Sequence, residues 1–194
     1  MLIFLLVAVI IAVLLYPYIA VAIYRYIAIS RMRMSLRRIG GRIRTLRALC
    51  IFSANRASKY DLLVEKDCVL YAIKLWSCAH KNADIRIYSD GRVGEERVCK
   101  APLSPKRNSV DEEKVTKYYA RAVNKTEYNF KIPKGKKIVN VLMLYPSYRK
   151  VILECNGKER CLQSGDVFFD KIIFTPFSFY KMISESNVTE DEKE

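Results

Sequence analysis

The pattern of hydrophobic and polar positions changes abruptly at Arg25. The residues from Leu2 to Tyr24 include no charged side chain. As a helix, with a rise of 1.5 Å per residue, this run spans roughly 34 Å. A hydrocarbon core is about 30 Å thick. The run therefore predicts a transmembrane signal-anchor helix over 2–24, and Pro17 does not oppose it because membrane helices tolerate an internal proline.

A cleaved signal peptide is the main alternative. Such peptides have a basic start, an apolar stretch of about 7–15 residues and a small-residue cleavage site. No Lys or Arg precedes this apolar run, the run is longer, and no convincing A-x-A motif follows it. The sequence favours an uncleaved anchor.

The segment after the anchor is rich in arginine. Lys and Arg near a membrane end are retained on the cytoplasmic side. We therefore expect a protein of the cell or inner membrane with its N-terminus outside and its remainder cytoplasmic. Bases near the surface also attract anionic headgroups, by about 1 kcal/mol each. The residues predicted to set topology and contact headgroups are Arg25, Arg31, Arg33, Arg37, Arg38, Arg42, Arg44 and Arg47.

This juxtamembrane segment, 25–42, has an apolar stripe of its own. Ile29, Met32, Leu36 and Ile39 recur every three or four residues, and Gly40-Gly41 is a plausible helix stop. The segment is predicted either to lie along the membrane as an amphipathic helix or to form a solvated basic linker. Nucleic acid is a weaker candidate partner because aromatic residues are not interleaved with the arginines.

The rest of the chain has the pattern of a β-rich domain over 43–183. Strand-like runs with turn signals between them are "YDLLVE", "CVLYAIKLW", "DIRIYS", "RVGEERV", "YNFKI", "KIVNVLMLY", "KVILEC" and "DVFFDKIIF". Asn156-Gly157 suits a type I′ hairpin. The acidic tail, 184–194, has little to bury and is predicted to be disordered.

Two segments carry helical signals. Ser109 and Glu112 form an S-x-x-E capping box before "KVTKYYARAV", although a strand there remains possible. Thr175-Pro176 predicts an N-cap and a first helical residue ahead of "FSFYKMI". The fold class is therefore α+β: an N-terminal transmembrane helix, then a small, mainly-β domain with one or two short helices. The predicted core residues are Leu62, Val64, Leu70, Ile73, Leu75, Val141, Leu142, Leu144, Ile152 and Phe174.

The cysteines do not predict a metal site. No C-x-x-C pair is present, so no metal ion or other cofactor is expected. Cys155 and Cys161 flank the Asn-Gly turn and could face each other across the hairpin. A cytoplasmic domain should nevertheless keep its thiols reduced.

One hairpin has a nuclease-like pattern. "YDLLVEKDCVLYAIKL" resembles the D…(D/E)-x-K hairpin of restriction-endonuclease-like nucleases, with Asp61 and Lys74 in the places of the metal-binding acid and the lysine. Ala72 stands where that family has its second acid, and loss of a carboxylate should cripple magnesium binding. The resemblance therefore implies a degenerate, membrane-tethered relative of that fold.

The sequence favours a non-enzymatic interaction or scaffold protein. No nucleophile with an orienting acid and no Gly-rich phosphate loop is recognised. The expected partners are the lipid bilayer and an unidentified protein. Nucleic acid is an unlikely partner, and no small-molecule substrate is predicted.

Overall fold

The protein is described by a computed structural model over residues 2–45, 60–77, 83–100, 112–119, 123, 128, 130–146 and 148–185. An apolar N-terminal helix precedes a mainly-β domain with one short helix, so the α+β prediction is confirmed. The elements are α1 (Leu2–Arg37), β1 (Arg42–Thr45), β2 (Leu62–Lys66), β3 (Val69–Trp76), β4 (Asp84–Tyr88), β5 (Val93–Lys100), β6 (Glu112–Tyr119), β7 (Lys137–Leu144), β8 (Lys150–Cys155), β9 (Lys158–Leu162), β10 (Val167–Phe168), β11 (Lys171–Phe174) and α2 (Pro176–Glu185).

The strands form two sheets. The first sheet has the order β1-β2-β3-β7-β11-β10, and the second has the order β6-β5-β4-β8-β9. β7 pairs in parallel with both β3 and β11, and β4 pairs in parallel with β8. The other pairs are antiparallel. The chain passes from the first sheet to the second after β3 and again after β7.

Three layers result, with the first sheet in the middle. Ile73 and Leu75 of β3 pack on the helix side, against α1 and α2. Trp76 of β3 and Leu142 of β7 pack on the other side, against the second sheet. A central strand covered on both faces reads as a continuous apolar run, which is the pattern of "CVLYAIKLW".

Several sequence predictions are confirmed in detail. The "YDLLVE" and "CVLYAIKLW" runs form the β2–β3 hairpin, and Asp90-Gly91 lies between β4 and β5. Asn156 and Gly157 both have positive φ, as a type I′ turn requires. Thr175 caps α2, where its Oγ1 accepts a hydrogen bond from the Ser178 amide at 3.2 Å.

The predicted helix after Ser109 is wrong. Residues 112–119 form β6, which pairs with β5 along its whole length. Val115, Thr116, Tyr118 and Tyr119 are residue types enriched in strands, and a full edge of β5 is available to them. Tertiary pairing therefore overrides the local capping signal.

Three further predictions need correction. Among the described residues of "YNFKI" there is no strand, and "DVFFDKIIF" is divided into β10 and β11 by a turn at Phe169. Ile152 is half-buried because it pairs with Arg86 on the outer face of the second sheet. The first two residues of the predicted disordered tail, Ser184 and Glu185, belong to α2, and the rest of the tail lies outside the described residues.

The N-terminal helix does not end at the predicted anchor boundary. α1 continues from Leu2 to Arg37 as one element, so Tyr24 and Arg25 are interior positions. It stops where the sequence predicts a stop: Gly40 has positive φ, and the Gly41 amide donates to the Leu36 carbonyl at 3.0 Å.

Candidate functional site

The two halves of α1 have different surroundings. In the first half the described side chains from Phe4 to Ile19 are exposed, apart from the half-buried Pro17. Burial against the domain begins at Ala20. The helix is long and apolar enough to cross a membrane. The domain therefore packs on the second half and leaves the apolar first half uncovered.

The stripe on the second half of α1 belongs to the domain core. Ala28, Ile29, Met32 and Leu36 are buried together with residues of the first sheet and of α2. The predicted helix is present, but its apolar stripe is covered by the domain, and the solvated-linker alternative is wrong. The apolar side chains that suggested membrane contact pack instead against β-strands and α2.

Arg25 enters the same interface. Arg25 is only 3% exposed to solvent, and its Nη1 donates to the Leu75 carbonyl at 2.7 Å. Its Nη2 lies 3.1 Å from Oδ1 of Asp61. Of the two roles predicted for Arg25, headgroup contact does not fit, because the guanidinium is buried between α1 and the end of β3. Its role in topology stays a prediction.

Asp61 connects three separate groups. Besides Arg25, its carboxylate accepts a hydrogen bond from the Leu75 amide at 3.0 Å and lies 3.1 Å from the Lys74 Nζ. Asp61 and Lys74 are both nearly inaccessible to solvent. Because buried charges need partners, this cluster fixes the rotation of α1 about its own axis and its position along the strands of the first sheet.

The two nuclease-like positions are thus brought together, but not around a metal. Asp61 is engaged by an arginine and a lysine. Among the described residues no group of three His, Cys, Asp or Glu side chains could hold a metal ion. The geometry is that of a buried ion cluster between a helix and a sheet. It does not reproduce the acid-lined cleft that the nuclease resemblance implies.

The other described arginines of the predicted set lie on the surface. Arg31 lies 5.8 Å from the ring centroid of Tyr145, and the Nη2 of Arg33 donates to the Thr45 hydroxyl at 3.2 Å. Arg47 is outside the described residues. The exposed members of the predicted set are Arg31, Arg33, Arg37, Arg38, Arg42 and Arg44.

Two of these arginines line a cavity of about 600 Å³ at the edge of the first sheet. Arg42, Arg44 and Lys131 lie beside an apolar floor that includes Leu63. Glu65 also lines it, and a hydrogen bond from Lys136 lowers the pKa of that carboxyl below its usual value. The cavity is basic because Glu65 is already paired.

The predicted meeting of Cys155 and Cys161 does not occur. Cys155 pairs with Lys158 across the hairpin, and Cys161 pairs with Ile152, three positions further from the turn. Both cysteines are free thiols. The two-residue turn sets this register and places the thiols at different rungs of the ladder.

Comparison of the chain with family models, with curated proteins and with solved structures finds no match.

The inward position of Arg25 has a signal in the sequence. Arg25, Ala28, Ile29, Met32 and Leu36 are spaced as one face of a helix. A charged residue at the head of an apolar stripe suggests a buried partner, and Asp61 is the first acid along the chain.

Proposed function

We propose that the protein is a single-pass membrane protein whose β-rich interaction domain is held firmly against its own anchor helix at the cytoplasmic face. One observation carries the proposal. α1 exposes apolar side chains from Phe4 to Ile19, becomes buried against the domain at Ala20, and contributes Ala28, Ile29, Met32 and Leu36 to the domain core. A flexible tether would let the domain turn freely, whereas this helix gives it a defined height and orientation.

The same observation supports a bilayer boundary near Ile19. Loops and strand ends are not accommodated in lipid-exposed hydrocarbon, so the domain-covered part of α1 belongs outside it. Leu2 to Ile19 spans about 27 Å as a helix, close to the core thickness of about 30 Å. Tyr16 and Tyr18 then fall at the interface, where aromatic residues are enriched.

The arginines support a cytoplasmic domain. The segment from Arg25 to Arg47 contains no acid, and basic residues within about 15–20 residues of a membrane end are the ones that set orientation. Direct headgroup contact is proposed for Arg31 and Arg33, the first exposed arginines. Arg31 and Arg33 follow Ile19 by about 18 and 21 Å along the helix and Arg37 by about 27 Å, so Arg31 and Arg33 are the exposed arginines nearest to the headgroups.

The proposed role of the domain is protein binding and not catalysis. The one charged cluster at the helix is buried between elements, and the basic cavity is shaped by surface residues at a sheet edge. Neither presents a nucleophile with a base. The partner is therefore sought among membrane-associated proteins, by capture from detergent-solubilised membranes.

Fusions at the C-terminus test the membrane assignment and the orientation. We expect a green fluorescent protein fusion to fluoresce and an alkaline phosphatase fusion to be inactive, with both remaining in membranes after alkaline carbonate extraction. Active phosphatase would contradict the orientation. Release of the protein by carbonate would contradict the membrane assignment.

A glutamine variant supplies the matched control. Replacing Arg31, Arg33, Arg37 and Arg38 removes four exposed charges from the cytoplasmic flank and leaves the buried Arg25 in place. We expect a measurable fraction of the phosphatase fusion to become active. An unchanged orientation would mean that these arginines do not set it.

A further inference from the structure

The domain carries a strongly exposed aromatic side chain at the first turn of α2. Phe177 is 77% exposed, the highest value for a large apolar side chain outside α1 among the described residues. Its neighbour Phe179 is buried against Tyr71 and Phe174. α2 thus buries one phenylalanine in the core and presents the other to the surroundings.

The height of Phe177 relative to α1 follows from the sheet. The Arg25 guanidinium donates to the Leu75 carbonyl, so this part of α1 lies level with the C-terminal end of β3. Leu75 pairs in parallel with Met143, and Met143 pairs in parallel with Phe174. α2 begins two residues later, at Pro176. Phe177 therefore lies at or just above the level of Arg25, on the side of the domain toward the apolar half of α1.

A second contact places the same part of α1 at this end of the domain. The rings of Tyr24 and Tyr145 have centroids 6.1 Å apart, and Tyr145 directly follows β7. α1 and α2 are themselves in contact. Tyr24, the exposed Tyr26 and Phe177 therefore lie toward the same end of the domain, the end from which the apolar half of α1 extends.

The local chemistry suits a lipid interface. Thr175 to Tyr180 reads "TPFSFY" and contains no charge that would have to be desolvated. The first turn is held in place because Thr175 and Ser178 cap each other: the Thr175 amide donates to the Ser178 Oγ at 2.9 Å, and the Ser178 amide donates to the Thr175 Oγ1 at 3.2 Å. Phe177 is presented by a fixed turn.

We propose that the α2 first turn is a second membrane contact, through which Phe177 inserts into the boundary between headgroups and acyl chains beside α1. This inference rests on the proposed function, because it requires α1 to span the bilayer. Apolar side chains at interfaces are buried about 5–10 Å into this boundary. Two contacts, one spanning and one interfacial, fix the tilt of the domain as well as its height.

Tryptophan substitution with brominated lipids tests the insertion. The full-length protein is reconstituted into vesicles whose acyl chains carry bromine, which quenches indole fluorescence on contact. Trp76, the sole native tryptophan, is buried between the two sheets and supplies the unquenched reference. We expect the emission added by Phe177→Trp to be blue-shifted and to lose roughly half its intensity in brominated vesicles, in line with insertion at the boundary between headgroups and acyl chains.

Phe169→Trp is the matched control. Phe169 is also exposed, at 44%, but it lies in the turn before β11, at the opposite end of that strand from Phe174. Its added emission should be quenched no more than that of the unsubstituted protein. Equal quenching of the two variants would overturn the proposal, as would a blue-shifted but unquenched Phe177→Trp, which would indicate protein contact.

Flotation separates this proposal from the proposed function. If the protein does not float with the vesicles, α1 is not a membrane anchor and the proposed function fails. If it floats while Phe177→Trp emits as in water and is not quenched, the anchor stands and the second contact is rejected.

Discussion

Replacing Met32 by aspartate is expected to unfold the β-rich domain while the protein remains in the membrane. Met32 is 2% exposed and packs in the core that α1 shares with the first sheet. Full burial of such a side chain contributes about 1.5–3 kcal/mol, and an unpaired buried carboxylate adds a further penalty. The sum approaches the total stability of a domain, about 5–15 kcal/mol.

Met34 offers a matched control on the same helix. It is 62% exposed, two positions from Met32, so Met34→Asp should change the free energy of unfolding by less than about 0.5 kcal/mol. Urea unfolding in detergent micelles, followed by Trp76 fluorescence, measures both variants. Equal stability of the two variants would show that α1 is not part of the domain core.

The second large effect is expected at Asp61. Asp61→Ala leaves the buried Arg25 and Lys74 without the carboxylate that both contact. Removing one partner from a buried ion pair typically costs about 3–5 kcal/mol. Urea unfolding should therefore show the free energy of unfolding lowered by about 3–5 kcal/mol, while the protein stays associated with the membrane.

The exposed pair of Arg92 and Asp90 is the comparison for Asp61. Both side chains are solvent-accessible, so Asp90→Ala should cost less than about 1 kcal/mol. The loss in the free energy of unfolding caused by Arg25→Met should fall between those of Asp61→Ala and Asp90→Ala. Methionine keeps apolar contact with the core, and Lys74 still neutralises Asp61. An Asp61→Ala effect no larger than that of Asp90→Ala would contradict the structural role of the cluster.

The elements that the sequence predicts well are those in which local pattern and tertiary environment agree. The β2–β3 hairpin has a continuous apolar strand that is buried on both faces, and Asn156-Gly157 has the φ values that its turn needs. The segment after Ser109 shows the opposite case. A capping signal there conflicts with strand-forming residues, and pairing with β5 decides the outcome.

The interface of α1 was harder to predict because two environments favour the same residues. Ile29, Met32 and Leu36 would suit a lipid interface or a protein core, and periodicity alone does not separate them. The deciding contact joins Arg25 to Asp61, 36 positions along the chain. The nuclease resemblance nevertheless names Asp61 and Lys74 together, and the register of the β2–β3 hairpin places them close to each other.

The central claim is that one continuous helix belongs both to the bilayer and to the domain core. Amide hydrogen exchange of the full-length protein in nanodiscs tests this most directly. We expect amides of residues 26–37 to exchange as slowly as those of β3 and β7, because opening them requires unfolding of the shared core. Exchange of residues 26–37 within seconds, beside a protected β-domain, would mean a flexible linker and would contradict it.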